Sequence, residues 1–260
     1  MKNAALAQWR TGEFSVGAWI NLPDLHNAET LARMDYDWLC FDLQHGLLSY
    51  SHLLALIPAI SATDTTPLVR VADSSAAAIG RVLDAGAHGV IVPMVDTAAQ
   101  AAQAAAACRY PPTGNRSCGP MRGLLTDGMT YLATANSEIA CIAMIETAEG
   151  LANVEAIAAT EGVDALFVGP VDLCFGLGIK PGDFANPAFT AAIERIVAAT
   201  HRAGIAAGLF GYSPETAKAA RDQGFNFVSA GTDIAFMRQG AAGALATVRG
   251  TEPRAARGGY

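Results

Sequence analysis

Two carboxylates that end apolar runs carry the most evident chemistry in this chain. The stretch LFVGPVDLCFGLG, residues 166–178, reads as a buried strand that breaks into a Gly-Pro turn and delivers Asp172. Upstream, IACIAMIET, residues 139–147, is a second apolar run ending in Glu146. If the two runs are neighbouring parallel strands, their terminal carboxylates converge. Such a pair suits a hard cation such as Mg²⁺ or Mn²⁺, which takes oxygen ligands and keeps positions open for water and substrate. A single strand-end acid is more commonly a helix N-cap or an ion-pair partner, so the pairing carries the reading.

The elements that must position these acids alternate along the chain. Candidate strands are Phe14–Ile20, Trp38–Leu43, Pro67–Val71, Gly89–Val95, Ile139–Ile145, Ala165–Val168, Ile205–Phe210 and Phe225–Ala230. Alanine-rich segments with helical spacing lie between them, among them Asp96–Cys108 with Asp96 as N-cap, and Glu215–Gln223 opened by Ser213-Pro214 and closed by Gly224. Eight such strands in 260 residues of 52% apolar content predict one (β/α)8 barrel of α/β class. An open doubly wound sheet is disfavoured, because no GxGxxG follows the first strand. The segment Arg109–Asn136 is expected to be irregular, a lid or a subunit contact. Residues 1–250 form the expected barrel domain, and the Gly/Arg/Ala-rich tail from Thr251 to Tyr260 is expected to fray.

Catalytic groups of such barrels sit at the carboxyl ends of the strands. Read in order, those ends supply Asp42-Leu43-Gln44-His45-Gly46, then Arg70, Glu146 and Asp172. Arg70 alone could simply pair with Asp42. His45 alone could be a packing histidine, the role assigned to His26, His52, His88 and His201. The net charge of −7, from 17 basic and 24 acidic residues, argues against nucleic acid or an anionic membrane as partner. The apolar runs stay short of the roughly 18 to 20 residues a membrane span needs, and no N-terminal signal pattern is present, so the expected location is cytoplasmic. Five cysteines without a CxxC pair predict reduced, mostly packed thiols rather than disulfides or a zinc site. The Ser229-Ala230-Gly231-Thr232 segment is read as a structural turn in preference to a phosphate cradle.

A set of spaced motifs then points to a family. DLQHG (42–46), PLVRV (67–71), LDAGAHGVIVPMVDTAAQA (83–101), RYPPTGNRSCG (109–119), IETAEGLAN (145–153) and EGVDALFVGPVDLCFGLG (161–178) resemble the HpcH/HpaI family of class II pyruvate aldolases. The similarity runs roughly from Phe14 to Met237. The resemblance implies a barrel that is often hexameric, with a C-terminal helix exchanged between neighbours. It also implies retro-aldol cleavage of 4-hydroxy-2-oxo acids to pyruvate, or hydroxypyruvate, and an aldehyde. Carried over by position, its metal carboxylates fall on Glu146 and Asp172, its enolate-stabilising arginine on Arg70 and its base histidine on His45. The acid that supports that histidine falls on Asp84, near the end of a helix running back toward the bottom of the barrel. Substrate contacts fall on Gly169, Val171 and Asp172. Two positions depart from the family pattern: Met144 replaces a common glutamine, and Phe210 replaces a frequent leucine after strand seven.

These residue types form a coherent mechanism. A divalent ion (Mg²⁺, Mn²⁺ or Co²⁺) and Arg70 would together neutralise charge growing on the keto oxygen during C3–C4 cleavage. His45 would exchange the proton of the C4 hydroxyl near neutral pH. A Schiff-base route needs a barrel lysine, and the chain offers only Lys2, Lys180 and Lys218, none predicted inside the barrel. Two alternatives remain open at this level. One is an acyl-CoA ester lyase or oxaloacetate-type decarboxylase on the same barrel, and the other is a non-catalytic metabolite-binding barrel.

Overall fold

The computed structural model describes residues 2–252. Its strands are β1 (Ser15–Ile20), β2 (Trp38–Asp42), β3 (Thr66–Arg70), β4 (Gly89–Val92), β5 (Ala140–Ile145), β6 (Ala165–Val168), β7 (Ala206–Leu209) and β8 (Phe227–Thr232). All neighbours pair in parallel in sequence order, and β8 returns to β1, so the sheet closes into a (β/α)8 barrel. Strands buried on both faces by lumen and helices need near-continuous apolar sequence, and that is what these runs supply. Each expected strand is present, Ala165–Val168 with its expected bounds and the others with ends shifted by at most three residues.

Alternation along the strands divides the core in two. Trp38 and Cys40 on β2, Leu68 on β3, Ile142 and Met144 on β5 and Phe167 on β6 belong to the cluster that fills the lumen. The residues that alternate with them, such as Leu39, Phe41, Val69 and Ala143, join the layer under the helices. The same period of two carries Asp42, Arg70 and Glu146 to the top of the lumen, each two residues beyond an inward-facing core residue. At the lower end of the lumen, close packing depends on Gly17, where a Cβ would stand 2.0 Å from the Trp38 ring.

The bottom of the barrel is closed by the helix Ala4–Thr11. Asn3 caps it by accepting from the Leu6 amide, and donates through Nδ2 to the carbonyls of His88, just before β4, and of Glu138, at the end of the helix that leads into β5. Trp9 stacks on Phe227 with ring centroids 4.1 Å apart, and its Nε1 donates to Ser15 Oγ at 2.8 Å.

Several local expectations are corrected. The helix expected from Asp96 spans Ala98–Cys108 and is capped by Thr97, whose side chain and that of Gln100 form a reciprocal capping box. Asp96 instead accepts from the Thr147 hydroxyl. The segment 109–136 contains the helix Met121–Asp127 and most of Thr130–Glu138, so it is far from irregular. Gly123 allows these two helices to meet, since a Cβ there would lie 2.5 Å from the Tyr131 ring. Ser229–Thr232 is part of β8 and not a turn.

The packing role assigned to the histidines fails for His26 and His201, which are exposed on the outer faces of the helices Leu25–Ala32 and Pro187–Ala203. Cys40, Cys108, Cys141 and Cys174 are buried and Cys118 is exposed, all as free thiols. No helix among the described residues is long and apolar enough to cross a membrane. Of the tail expected to fray, residues 253–260 lie outside the described residues.

Candidate active site

A cavity of about 570 Å³ opens at the carboxyl end of the barrel. Of the residues singled out in the sequence, it is lined by His45, Arg70, Met144, Gly169, Val171, Asp172 and Phe210. Glu146 stands one residue beyond β5, buried beside this lining, with its Oε2 2.6 Å from where a Cβ on Gly169 would lie. The same Cβ would meet the Met144 Cε at 2.7 Å, so only glycine lets the β6 end pass so close to the carboxylate.

Asp172 does not sit in a tight turn as expected. Pro170 starts a short helix, Pro170–Gly176, and Asp172 lies in its first turn, where an acid faces the free amides and positive end of the helix. Val171 and Asp172 therefore offer first-turn positions at the cavity edge. Pro170 stands at a position where its missing N–H costs nothing.

Arg70 and Asp42 form the best-defined polar pair. They are register partners across β3 and β2. Arg70 Nε donates to Asp42 Oδ1 at 2.9 Å and Nη2 donates to Oδ2 at 2.5 Å. Asp42 Oδ1 also accepts from the backbone amides of Gln44 and His45 at 3.0 and 3.2 Å. Burial opposes ionisation of Asp42, yet the Arg70 hydrogen bonds and charge, with the two amides, hold its carboxyl below the usual carboxylate range. Burial likewise opposes the charge on Arg70, and Asp42 outweighs it, so its pKa lies above the ordinary value. The guanidinium also lies 5.3 Å from the centre of the Trp19 ring. The simple reading of Arg70 as a partner of Asp42 is thus correct, and the pairing also orients Arg70 in the cavity.

Glu146 behaves differently. Burial pushes its carboxyl above the ordinary value, a hydrogen bond from the Met94 amide at 2.8 Å opposes this, and the Asp172 charge adds to the rise. Two like-charged oxygen donors, one of them buried, fit a hard divalent cation. Among the described residues no group of three or more His, Cys, Asp or Glu gathers that could hold a metal. A cation here would have two protein ligands and complete its shell with water and substrate.

Asp84 is not brought to the site in this chain. It ends the regular helix Ala76–Asp84 and is held by Arg116, whose Nη2 donates to Oδ1 at 2.7 Å. His45, in contrast, is exposed at the cavity, its backbone tied to Asp42. The sequence reading passed over Trp19, Asn21, Leu47, Tyr212, Thr232 and Ile234 as lining residues. Their common signal was position, since all lie at or just beyond the carboxyl ends of β1, β2, β7 and β8.

Comparison with known proteins agrees with this architecture. Residues 15–239 match the HpcH/HpaI aldolase/citrate lyase family. The chain belongs to that family. Among its relatives in the HpcH/HpaI family is a hydroxypyruvate/pyruvate aldolase of Rhizorhabdus wittichii, 38% identical across 93% of this chain and 96% of the relative. One of the same name from Paraburkholderia phytofirmans is 41% identical across 90% of this chain and 92% of its own length. The crystal structure of a HpcH/HpaI aldolase/citrate lyase family protein from Burkholderia cenocepacia superposes with a TM-score of 0.90 at 35% identity, over 95% of this chain and all of that one.

Proposed function

We propose that this protein is a metal-dependent class II aldolase, a carbon–carbon lyase that reversibly cleaves a 4-hydroxy-2-oxo acid to pyruvate, or hydroxypyruvate, and an aldehyde. The observation that carries this reading is the meeting of Arg70, His45 and Asp172 at one cavity with Glu146 buried beside it, while no lysine lines that cavity. The names of the relatives, hydroxypyruvate/pyruvate aldolases, support the same reaction class.

Glu146 and Asp172 would hold the divalent ion, Mg²⁺, Mn²⁺ or Co²⁺. When bound, it supplies positive charge beside the carboxylate and keto oxygens of a 2-oxo acid. Arg70 commits Nε and Nη2 to Asp42, which leaves Nη1 to donate to the keto oxygen as negative charge grows there. Because Asp42 fixes the guanidinium, little reorganisation is needed at the moment of cleavage. His45 takes the proton of the C4 hydroxyl in cleavage and returns it in condensation. Gly169 and Val171 flank the bound acid at the end of β6. Met144 and the Trp19 ring exclude water from the floor.

Asp84 keeps its supporting role toward His45 only if it comes from a second copy of the chain. A homo-oligomer, a hexamer by resemblance, is supported by exposed apolar side chains. Met121, Leu125 and Met129, near Asp84's partner loop, are 79%, 76% and 74% exposed. The C-terminal helix Asp233–Arg249 buries only Asp233 and Ala246 among its residues, which suits exchange between neighbours.

The test is proton exchange at C3 of pyruvate in D₂O, followed by NMR with Mg²⁺, Mn²⁺ or Co²⁺ and with EDTA. Exchange that depends on the ion is expected. Failure of all three ions to promote it would remove the aldolase reading.

A further inference from the structure

The cavity is chemically divided by the order of the strands. The ionisable groups come from β2, β3, β5 and β6 and the segments that follow them, as Asp42, His45, Arg70, Glu146 and Asp172. Across the barrel, β7, β8 and β1 contribute Phe210, Tyr212, Thr232, Ile234, Trp19 and Asn21, none of them an acid, a histidine, a lysine or an arginine. Because the barrel closes in sequence order, these strands form one continuous half of the mouth.

The aromatic part of that half is organised as a wall. Phe210 meets Trp19 edge to face at 5.0 Å and Tyr212 at 4.9 Å. Behind it lies a second cavity of about 180 Å³ that shares Pro170, Phe210 and Tyr212 with the first. Phe184 stacks on Tyr212 at 5.7 Å from this far side. The apolar space therefore continues past the wall.

Among the described residues of this chain, no lysine or arginine lines that half of the cavity. Arg70 is the one lysine or arginine among the described residues lining the main cavity, and Asp42 holds it on two nitrogens. The nearest acid on the neutral half, Asp233, is buried and accepts from the amides of Asn21, Leu22 and Ile234 and from Asn27 Nδ2. Its remaining charge would repel a carboxylate. Burying an unpaired carboxylate against such a surface is costly, whereas an apolar group gains from the same contact.

We infer that the aldehyde released or accepted by this enzyme carries an uncharged, apolar substituent, which packs against the Phe210–Tyr212 wall and Ile234. The inference rests on the aldolase reading and specifies its acceptor. A tail bearing a carboxylate or phosphate is excluded by the same walls.

Two aldehydes of nearly equal shape test this directly: succinic semialdehyde and 4-methylpentanal, in which two methyl groups replace the carboxylate oxygens. With pyruvate as donor and the metal-loaded enzyme, kcat/KM for 4-methylpentanal should exceed that for succinic semialdehyde by roughly tenfold or more. Ile234→Arg, which sets a cation in the neutral half, should shift the ratio toward succinic semialdehyde. Wild-type enzyme that used the two equally, or preferred succinic semialdehyde, would overturn the inference whatever the variant did. Deuterium exchange into pyruvate in the same samples separates the failures. Exchange without the apolar preference sinks this inference alone, and absence of exchange sinks the aldolase reading with it.

Discussion

Asp42 and Arg70 stand opposite each other across β2 and β3 and close a two-point ion pair at the top of the lumen, where both are buried. A pair of this kind is more informative about orientation than about net stability, because desolvation offsets much of the attraction. Removing one member is another matter. Asp42→Ala should lower unfolding free energy by about 3 to 5 kcal/mol by leaving a buried guanidinium alone. Urea melts that matched wild type would show the pair to be energetically idle.

The same pairing shapes how Arg70 must be tested. Arg70→Ala would strand the Asp42 charge and confuse folding with catalysis, whereas Arg70→Lys keeps a cation and loses the fork geometry. Oxaloacetate decarboxylation builds charge on the same enolate oxygen as aldol cleavage but needs no base for a hydroxyl proton. Arg70→Lys should slow both reactions. His45→Ala should depress aldol turnover by about 10² to 10⁴ and spare decarboxylation. Equal loss of both activities in His45→Ala would end its assignment as base.

The proposed metal dependence has its own signature at Gly169. Gly169→Ala would drive a Cβ into Glu146 Oε2 and Met144 Cε, so the carboxylate must move while the surrounding strands remain. Weaker Mn²⁺ binding by calorimetry, with a melting temperature close to wild type, is the expected outcome, as it is for Glu146→Gln and Asp172→Asn. Full activity after EDTA treatment would contradict the role given to all three positions.

Acid should unfold the protein in two stages. Burial lowers the His88 pKa to about 4, against opposing attraction from Asp127 and Glu138. The unfolded chain, with histidine near 6.5, then binds more protons, so stability is full above that value and falls as pH drops from about 6.5 to 4. The slope is at most about 1.4 kcal/mol per pH unit. Asp42 adds a second loss below about pH 4, as its depressed folded pKa is approached. Urea midpoints of His88→Gln should be flatter between pH 6.5 and 4, and a profile parallel to wild type would refute the assignment.

The barrel and the convergence of most of the candidate residues on one cavity were legible because period-two strands convert sequence parity into direction. Glu146 and Arg70 could be placed at the lumen from Met144 and Leu68 alone. What escaped the reading depended on short-range competition or on distance across the ring. Thr97 displaced Asp96 as a cap because Gln100 could complete the reciprocal bonds. Gly-Pro looked like a turn before Asp172 because proline opens helices as readily as it ends strands. Trp19, Tyr212 and Ile234 carry no charge and no motif, so only the closure of β8 onto β1 reveals them as one surface.

The plug formed by Ala4–Thr11, with Trp9 on Phe227, leaves the lumen closed below the catalytic layer. Traffic is therefore one-ended, and whatever lies deeper must wait for whatever lies nearer the rim. With the oxo acid lodged between Glu146 and Arg70 and the aldehyde toward Tyr212, departure has an order, aldehyde before pyruvate, and synthesis loads in reverse. On the proposed aldolase reading, the expected kinetic mechanism is sequential and ordered, with pyruvate competing against the cleavage substrate for free enzyme and the aldehyde inhibiting noncompetitively.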